Sequence, residues 1–394
     1  MNIGIFTDTY YPQVSGVVTS TMILRHELIR LGHNVTIITV THPDVEEQEG
    51  IIRLPSLPFF LLPSQRVGMI YSRKIMNKIK KLDLDIIHTQ TEFSIGIFGR
   101  IVAKRLDIPV VHTYHTMYED YIHYVSRGIM LKPASQFAKK VSKLYCRDCS
   151  AIIVPTIKVK DALQQYGLRR HIDVIPTGVN IEPFEKSNFN DQHIRDEKKS
   201  FGINENEPVI LFIGRIAKEK SIDVIINSMR ELTNRIPDCK LLIVGDGPER
   251  ENLEDLTKNL GIEKSVIFAG EKPWAEIGKY YQMGDVFVGA SLTETQGLTF
   301  AEAMAAQIPV VAKYDKNLDG IIEDEINGRI FYKDEELSEI LFEVLNDKDA
   351  RIAMVKNAYD GIEPLSSKCF GENVEKIYME VERQNCMLQN QKVT

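Results

Sequence analysis

Two carboxylates, Glu294 and Glu302, flank a turn-forming run, Ser291-Leu-Thr-Glu-Thr-Gln-Gly-Leu-Thr, that leads from a strand-like stretch into an Ala-rich helical one. A helix entered this way presents the backbone N–H groups of Gly297, Leu298 and Thr299 with no acceptor one turn earlier, a geometry that binds phosphate. Carboxylates repel a diphosphate, so Glu294 and Glu302 are useful beside one only as acceptors for hydroxyl groups, which sugars supply. Glu302, about one turn into the helix, suits a ribose diol, and Glu294, in the loop before it, suits a second sugar. The bland reading is that both acids simply match the positive end of the helix dipole.

A second constellation, Gly214-Arg215-Ile-Ala-Lys-Glu-Lys220, follows an apolar strand. Departure of a nucleoside diphosphate builds negative charge, which fixed cations stabilise, and Arg215 and Lys220 are the candidates. Alone, such a run is more often solvated surface charge. Gly245-Asp246-Gly247-Pro248 ends another strand, where Gly245 permits close approach to a nucleotide. In the N-terminal half, Gly16 in Ser15-Gly-Val-Val opens a helix after the first strand and brings amides toward a phosphate or sugar. His115, in a segment dense with aromatic and polar groups, lies just past a strand's C-terminal end. A lone histidine is usually structural, and this position is what raises it to a candidate.

Short β-branched runs alternating with helical patterns must position these residues, the signature of βαβ units and parallel sheets. Strands are expected at Ile3–Thr7, Asn34–Val40, Asp85–Thr89, Val110–Thr113, Ala151–Val154 and Asp173–Ile175, then, after a polar stretch, from Val209, near Lys240–Val244, Ser265–Phe268, Asp285–Val288 and Pro309–Ala312. The expected organisation is an α/β protein of two doubly wound, Rossmann-like domains, 1–178 and 208–364, joined by a linker at 179–207. Residues 365–394 form a C-terminal helix able to pack back on the N-terminal domain. Ligands bind such sheets at the strand C-termini, so the site is expected in a cleft between the domains.

Composition excludes several classes. With 43% apolar and 26% charged residues the chain is neither disordered nor fibrous. It starts on a strand-like run without a signal-peptide pattern and has no stretch of membrane-spanning length, so a cytoplasmic location is expected. Five cysteines, an odd number, argue against a disulfide framework. Cys146 and Cys149 lack the further ligands zinc needs and read as packed, reduced thiols. Asp83-Leu84-Asp85 precedes a strand and reads as structural, and no metal is expected. Residues 1–178 carry a net charge of +7 and the remainder −14. The basic half is suited to an anionic surface. Nucleic acid is disfavoured, because no basic motif is interleaved with stacking aromatics.

The spacing of Glu294 and Glu302, with Arg215 and Lys220 upstream, resembles the GT-B fold glycosyltransferases of family four. Within that family, Ser291-x-Thr-Glu-Thr-Gln-Gly-Leu-Thr, His88-x-x-Thr91-Glu92-Phe93-Ser94 and His115-Thr116-x-Tyr118-x-Asp120-Tyr121-x-His123-Tyr124 resemble the bacterial diacylglycerol glucosyltransferases. The resemblance runs over nearly the whole chain. It implies a retaining, metal-independent transfer of glucose from UDP-glucose to the free hydroxyl of 1,2-diacylglycerol at the cytoplasmic membrane face, with His115 touching the transferred sugar. The diphosphate oxygen itself would then help to deprotonate the acceptor. Gln307 departs from the family, which usually has Gly there, so a slightly different turn is expected. An enzyme acting on a bilayer lipid must sit on the membrane, and Arg73, Lys74, Lys78, Lys80, Lys81, Lys132, Lys139, Lys140, Lys143 and Arg147 are candidate contacts, beside an apolar loop from Leu57 to Pro63. That loop is at least equally suited to packing on its own domain. A soluble sugar or another glycolipid as acceptor, and a nucleotide-sugar epimerase of the same form, are the rival readings.

Overall fold

A computed structural model describes the chain except residues 14, 44, 47, 60–61, 116–130, 292–296 and 394. The chain forms two compact units, Met1–Gly178 with Ser367–Thr394, and Val179–Ser366.

In the first unit the order is β1 (Asn2–Phe6), α1 (Gly16–Arg30), β2 (Asn34–Val40), β3 (Ile51–Leu54), β4 (Ser56–Phe59), β5 (Leu62–Gly68), α2 (Arg73–Lys80), β6 (Ile86–Thr89), α3 (Ser94–Leu106), β7 (Val110–Thr113), α4 (Leu131–Arg147), β8 (Ala151–Val154), α5 (Ile157–Gln165) and β9 (Asp173–Val174). Seven strands make a parallel sheet in the order β3-β2-β1-β6-β7-β8-β9. Its central strands read as continuous apolar runs because helices cover both faces. The C-terminal helix (Ser367–Val393) belongs to this unit: Phe370, Val374, Tyr378 and Val381 join Ile3, Ile5, Leu24 and Leu28 in one core cluster. Asp85 and Asp83 fasten the start of β1, the Asn2 N–H donating to Asp85 Oδ2 at 2.7 Å and its side-chain amide to the Asp83 carbonyl at 3.0 Å.

The Leu57–Pro63 stretch differs from the expected loop. Its described residues lie in the antiparallel hairpin β4–β5, where Leu57 pairs with Val67 and both stay exposed. Period-2 pairing survives there because Pro58 and Pro63 sit in a two-stranded ribbon with no central-strand neighbour to deprive of a donor.

The second unit runs α6 (Asp191–Ser200), β10 (Val209–Ile213), α7 (Ile222–Arg235), β11 (Lys240–Val244), α8 (Arg250–Leu260), β12 (Val266–Gly270), α9 (Ile277–Tyr281), β13 (Val286–Gly289), α10 (Leu298–Ala305), β14 (Val310–Lys313), β15 (Arg329–Phe331), α11 (Leu337–Asn346) and α12 (Lys348–Asp360). Its six parallel strands are ordered β12-β11-β10-β13-β14-β15. The 179–207 stretch, read from its polarity as a linker, lies within this unit: Phe184 and Ile203 are fully buried in its core, with Ile194 and Phe201 packed beside them. A few well-spaced apolar anchors suffice to hold an otherwise charged segment.

Candidate functional site

In the second unit the loops that follow β10, β11 and β13 meet at the strand C-termini. The Gly214 N–H bonds to the Val244 carbonyl at 3.0 Å, the Ile216 N–H to the Asp246 carbonyl at 2.9 Å, and the Ser291 hydroxyl to the Glu219 carbonyl at 3.0 Å. Gly245, at φ 140°, could carry no side chain: a Cβ there would stand 1.9 Å from the Gly214 carbonyl oxygen. Gly245 is therefore needed to bring two loops together, in addition to any ligand approach. These contacts gather Arg215, Lys220, Gly245 and the start of α10 at one end of the sheet. Arg215 is paired with Glu219 but leaves two thirds of its side chain, 67%, exposed. Lys220 closes a short turn, its N–H bonded to the Ala217 carbonyl at 2.9 Å.

Gly297 caps α10 in the left-handed conformation, φ 63°, and its carbonyl accepts from Phe300 and Ala301 at 2.9 and 3.2 Å. The N–H groups of Leu298 and Thr299 precede those first intrahelical bonds, the position from which a helix start can bind an anion. Further into α10, the Tyr281 hydroxyl donates to Glu302 Oε2 at 2.7 Å. Although part of the residue's surface stays accessible, burial of the carboxyl outweighs this bond and pushes its pKa up to about 7. Glu302 thus has Oε2 held by the Tyr281 hydroxyl, and among the described residues no hydrogen bond is made to its other oxygen. Glu294 lies outside the described residues, as do Thr116, Tyr118, Asp120, Tyr121, His123 and Tyr124.

In the first unit the C-terminal ends of β1, β6 and β7 carry the candidate residues. Gly16 begins α1, capped by the Ser15 hydroxyl, which accepts from the Val18 N–H at 3.3 Å, and open space surrounds the glycine. Asp8, past β1, is buried and accepts from the Thr91 hydroxyl at 2.6 Å and the Ile95 N–H at 2.9 Å, so it anchors the start of α3. His115, past β7, is buried, with Nε2 2.6 Å from Gln90 Oε1 and with Nδ1 lacking a hydrogen-bond partner among the described residues. Burial, aided by the neighbouring His112, pushes its pKa down to about 3, so the ring is neutral. Around it lie His88, bonded to the Tyr378 and Thr113 hydroxyls at 2.5 and 2.7 Å, and His112, 3.2 Å from Glu92.

Two family models divide the sequence, Glycosyltransferase Family 4 over residues 14–183 and Glycosyl transferases group 1 over residues 193–361. The sequence is 37% identical to the alpha-monoglucosyldiacylglycerol synthase of Streptococcus pneumoniae, over 96% of this chain and 86% of that one. To the alpha-monoglucosyldiacylglycerol synthase of Acholeplasma laidlawii it is 36% identical over 100% of both. The chain belongs to the family-four glycosyltransferases. Among solved structures, Anabaena HepE in complex with UDP superposes with a TM-score of 0.77 at 19% identity, over 96% of this chain and 100% of that one, a likeness of fold. The glycosyltransferase therefore has the GT-B architecture of two Rossmann-like sheets, takes a nucleotide sugar as donor, and is of a kind that works without a metal. Among its described residues no helix is long and apolar enough to cross a membrane.

For this glycosyltransferase, sequence reasoning missed Tyr281 and Gln90, the partners that orient Glu302 and His115. Neither sits in a recognisable motif with its partner. Gln307 adopts φ 58° after α10, so the turn keeps the left-handed geometry that Gly would favour rather than changing it. The Gln307 and Ile308 N–H groups bond to the Met304 and Ala303 carbonyls, both at 3.1 Å, closing the helix. Cys146 lies in the last turn of α4 and Cys149 just beyond the helix; both are free and buried, and burial pushes the Cys149 thiol up to about 11.

Proposed function

We propose that this glycosyltransferase moves glucose from UDP-glucose to the free hydroxyl of 1,2-diacylglycerol, with retained anomeric configuration, at the inner face of the cell membrane. The observation that carries the reading is the full-length likeness to two synthases named for that product. In it Glu302 accepts from the ribose diol, the N–H groups of Gly297, Leu298 and Thr299 receive the diphosphate, and Gly245 lets the nucleotide approach. Arg215 and Lys220 stabilise the departing charge. Glu294 and His115 bind the transferred sugar, and Gly16 turns amides toward the same substrate.

Surface chemistry of the first unit supports a membrane-bound acceptor. On α2, Ile75, Met76 and Ile79 are buried while Arg73, Lys74, Lys78, Lys80 and the adjoining Lys81 are exposed. On α4, exposed Val141 and Leu144 alternate with exposed Lys140 and Lys143. A face mixing cations with apolar groups suits an anionic bilayer surface, each Lys or Arg contributing about 1 kcal/mol.

The test is incubation of the full chain with several UDP- and GDP-sugars and diacylglycerol in anionic vesicles. A single α-glucosyl lipid formed from UDP-glucose is the expected product. Vesicle-bound protein that yields only free UDP-sugar isomer, or that glycosylates soluble acceptors and ignores the lipid, refutes the assignment.

A further inference from the structure

The neutral ring of His115 has two possible tautomers, and only one leaves Nδ1 able to accept. The choice is made by Gln90, which follows β6 and is 2% exposed. Its Oε1 stands 2.6 Å from His115 Nε2, while its amide nitrogen lies 3.1 and 3.3 Å from the two ring nitrogens of His88. A point that near to both nitrogens in the ring plane would collide with the carbon between them, so the amide nitrogen sits over the ring face. An N–H is attracted to that electron-rich face and a carbonyl oxygen is repelled by it. The His88 ring cannot turn away, because the Tyr378 hydroxyl of the C-terminal helix and the Thr113 hydroxyl of β7 hold its two nitrogens at 2.5 and 2.7 Å. The amide is thereby locked with its oxygen toward His115. That oxygen only accepts, so His115 Nε2 carries the hydrogen.

We propose that Gln90 is a positioning residue, which fixes His115 as the Nε2–H tautomer and presents Nδ1 as a bare acceptor to a hydroxyl of the transferred sugar. Nδ1 is buried and has no hydrogen-bond partner among the described residues, as expected of a group that a ligand completes. Tyr378 and His88 act one step further back, as the support for Gln90. The identity of the hydroxyl donor rests on the proposed contact of His115 with the sugar; the tautomer does not. The titratable groups around the ring are His88 on β6, His112 on β7, Glu92 against His112, and Tyr378 on the C-terminal helix.

Nitrogen NMR of the full chain with labelled histidine tests the tautomer directly, the His115 signals being assigned by their loss in His115→Asn. Nδ1 is expected to be lone-pair-bearing and Nε2 hydrogen-bearing from pH 5 to 8; the reverse in the unaltered protein overturns the proposal without any variant. Gln90→Glu, nearly the same size, places a carboxylate against Nε2 and favours the doubly protonated ring. Its kcat is expected to fall about 100-fold at pH 6 and to recover as pH rises, with donor KM changed less than about threefold. A flat pH profile at full activity overturns the proposal, since a merely structural glutamine would give no such acidic limb. If His115→Ala keeps its turnover, the sugar contact fails while the tautomer measurement still stands; if it is inactive and Gln90→Glu matches the unaltered enzyme at every pH, the role of Gln90 alone fails.

Discussion

Replacing Tyr281 with Phe removes one oxygen from a buried ring and with it the 2.7 Å bond to Glu302. That bond opposes the burial which holds the Glu302 carboxyl at a pKa of about 7. A hydrogen bond to a charged group is worth about 1.5–3 kcal/mol, and 1.36 kcal/mol corresponds to about one pKa unit. Its loss therefore raises the pKa by roughly one to two units. At pH 7 the ionised share falls from about half to between ~1 and ~10%, and since only the ionised group accepts both ribose hydroxyls, apparent donor affinity drops about 5- to 50-fold. Calorimetric titration of UDP-glucose reads the effect between pH 6 and 8, below the range in which the uracil N3–H ionises. The unaltered enzyme is expected to bind more tightly as pH rises through about 7, and Tyr281→Phe to show the same rise one to two units later. Affinity independent of pH, or coincident curves for the two proteins, refutes the ionised Glu302 as ribose acceptor.

The same carboxyl has a cost in stability. Its folded-state pKa of about 7 exceeds the ordinary 4.5, so the folded state binds the proton more tightly, and stability is greatest below 4.5 and declines as pH rises to about 7. The decline amounts to about 3 kcal/mol; thermal unfolding of Glu302→Gln should match the unaltered protein at pH 4.5 and exceed it by that amount at pH 8, with donor binding weakened. Lys220→Ala is expected to lower kcat about 100-fold with an unchanged circular dichroism spectrum, and near-full turnover would remove Lys220 from the leaving-group site. Gln307→Gly relieves a left-handed residue at φ 58°. It is expected to stabilise the protein by about 1 kcal/mol, raising Tm by roughly 2–4 °C in scanning calorimetry.

Features of the sequence that report on their own surroundings were legible. Continuous β-branched runs located the central parallel strands, and the Gly297 turn located the start of α10 because capping is a local event. The short β3 at the sheet edge and the β4–β5 hairpin were not, since Pro58 and Pro63 argue against strands unless the partner geometry is known. The polar run 179–207 disguised its anchors, Phe184 and Ile203, which only tertiary packing reveals as core. The candidate site divided the same way. Glu302 and His115 were found by position relative to strand and helix ends, whereas Tyr281 and Gln90 are set against them by the crossing of elements 21 and 25 residues apart.

The return of the C-terminal helix to the first unit has a consequence for the order of events on the ribosome. The second unit has its whole sequence outside the exit tunnel before the last helix emerges. The first, although begun earlier, lacks Phe370, Val374, Tyr378 and Val381 until the helix that follows the second unit has emerged, leaving Leu24, Leu28 and His88 without their cover. The half of the enzyme made first is thus completed after the other, and a nascent chain arrested with only the last helix still inside the tunnel would show a folded second unit attached to an open sheet.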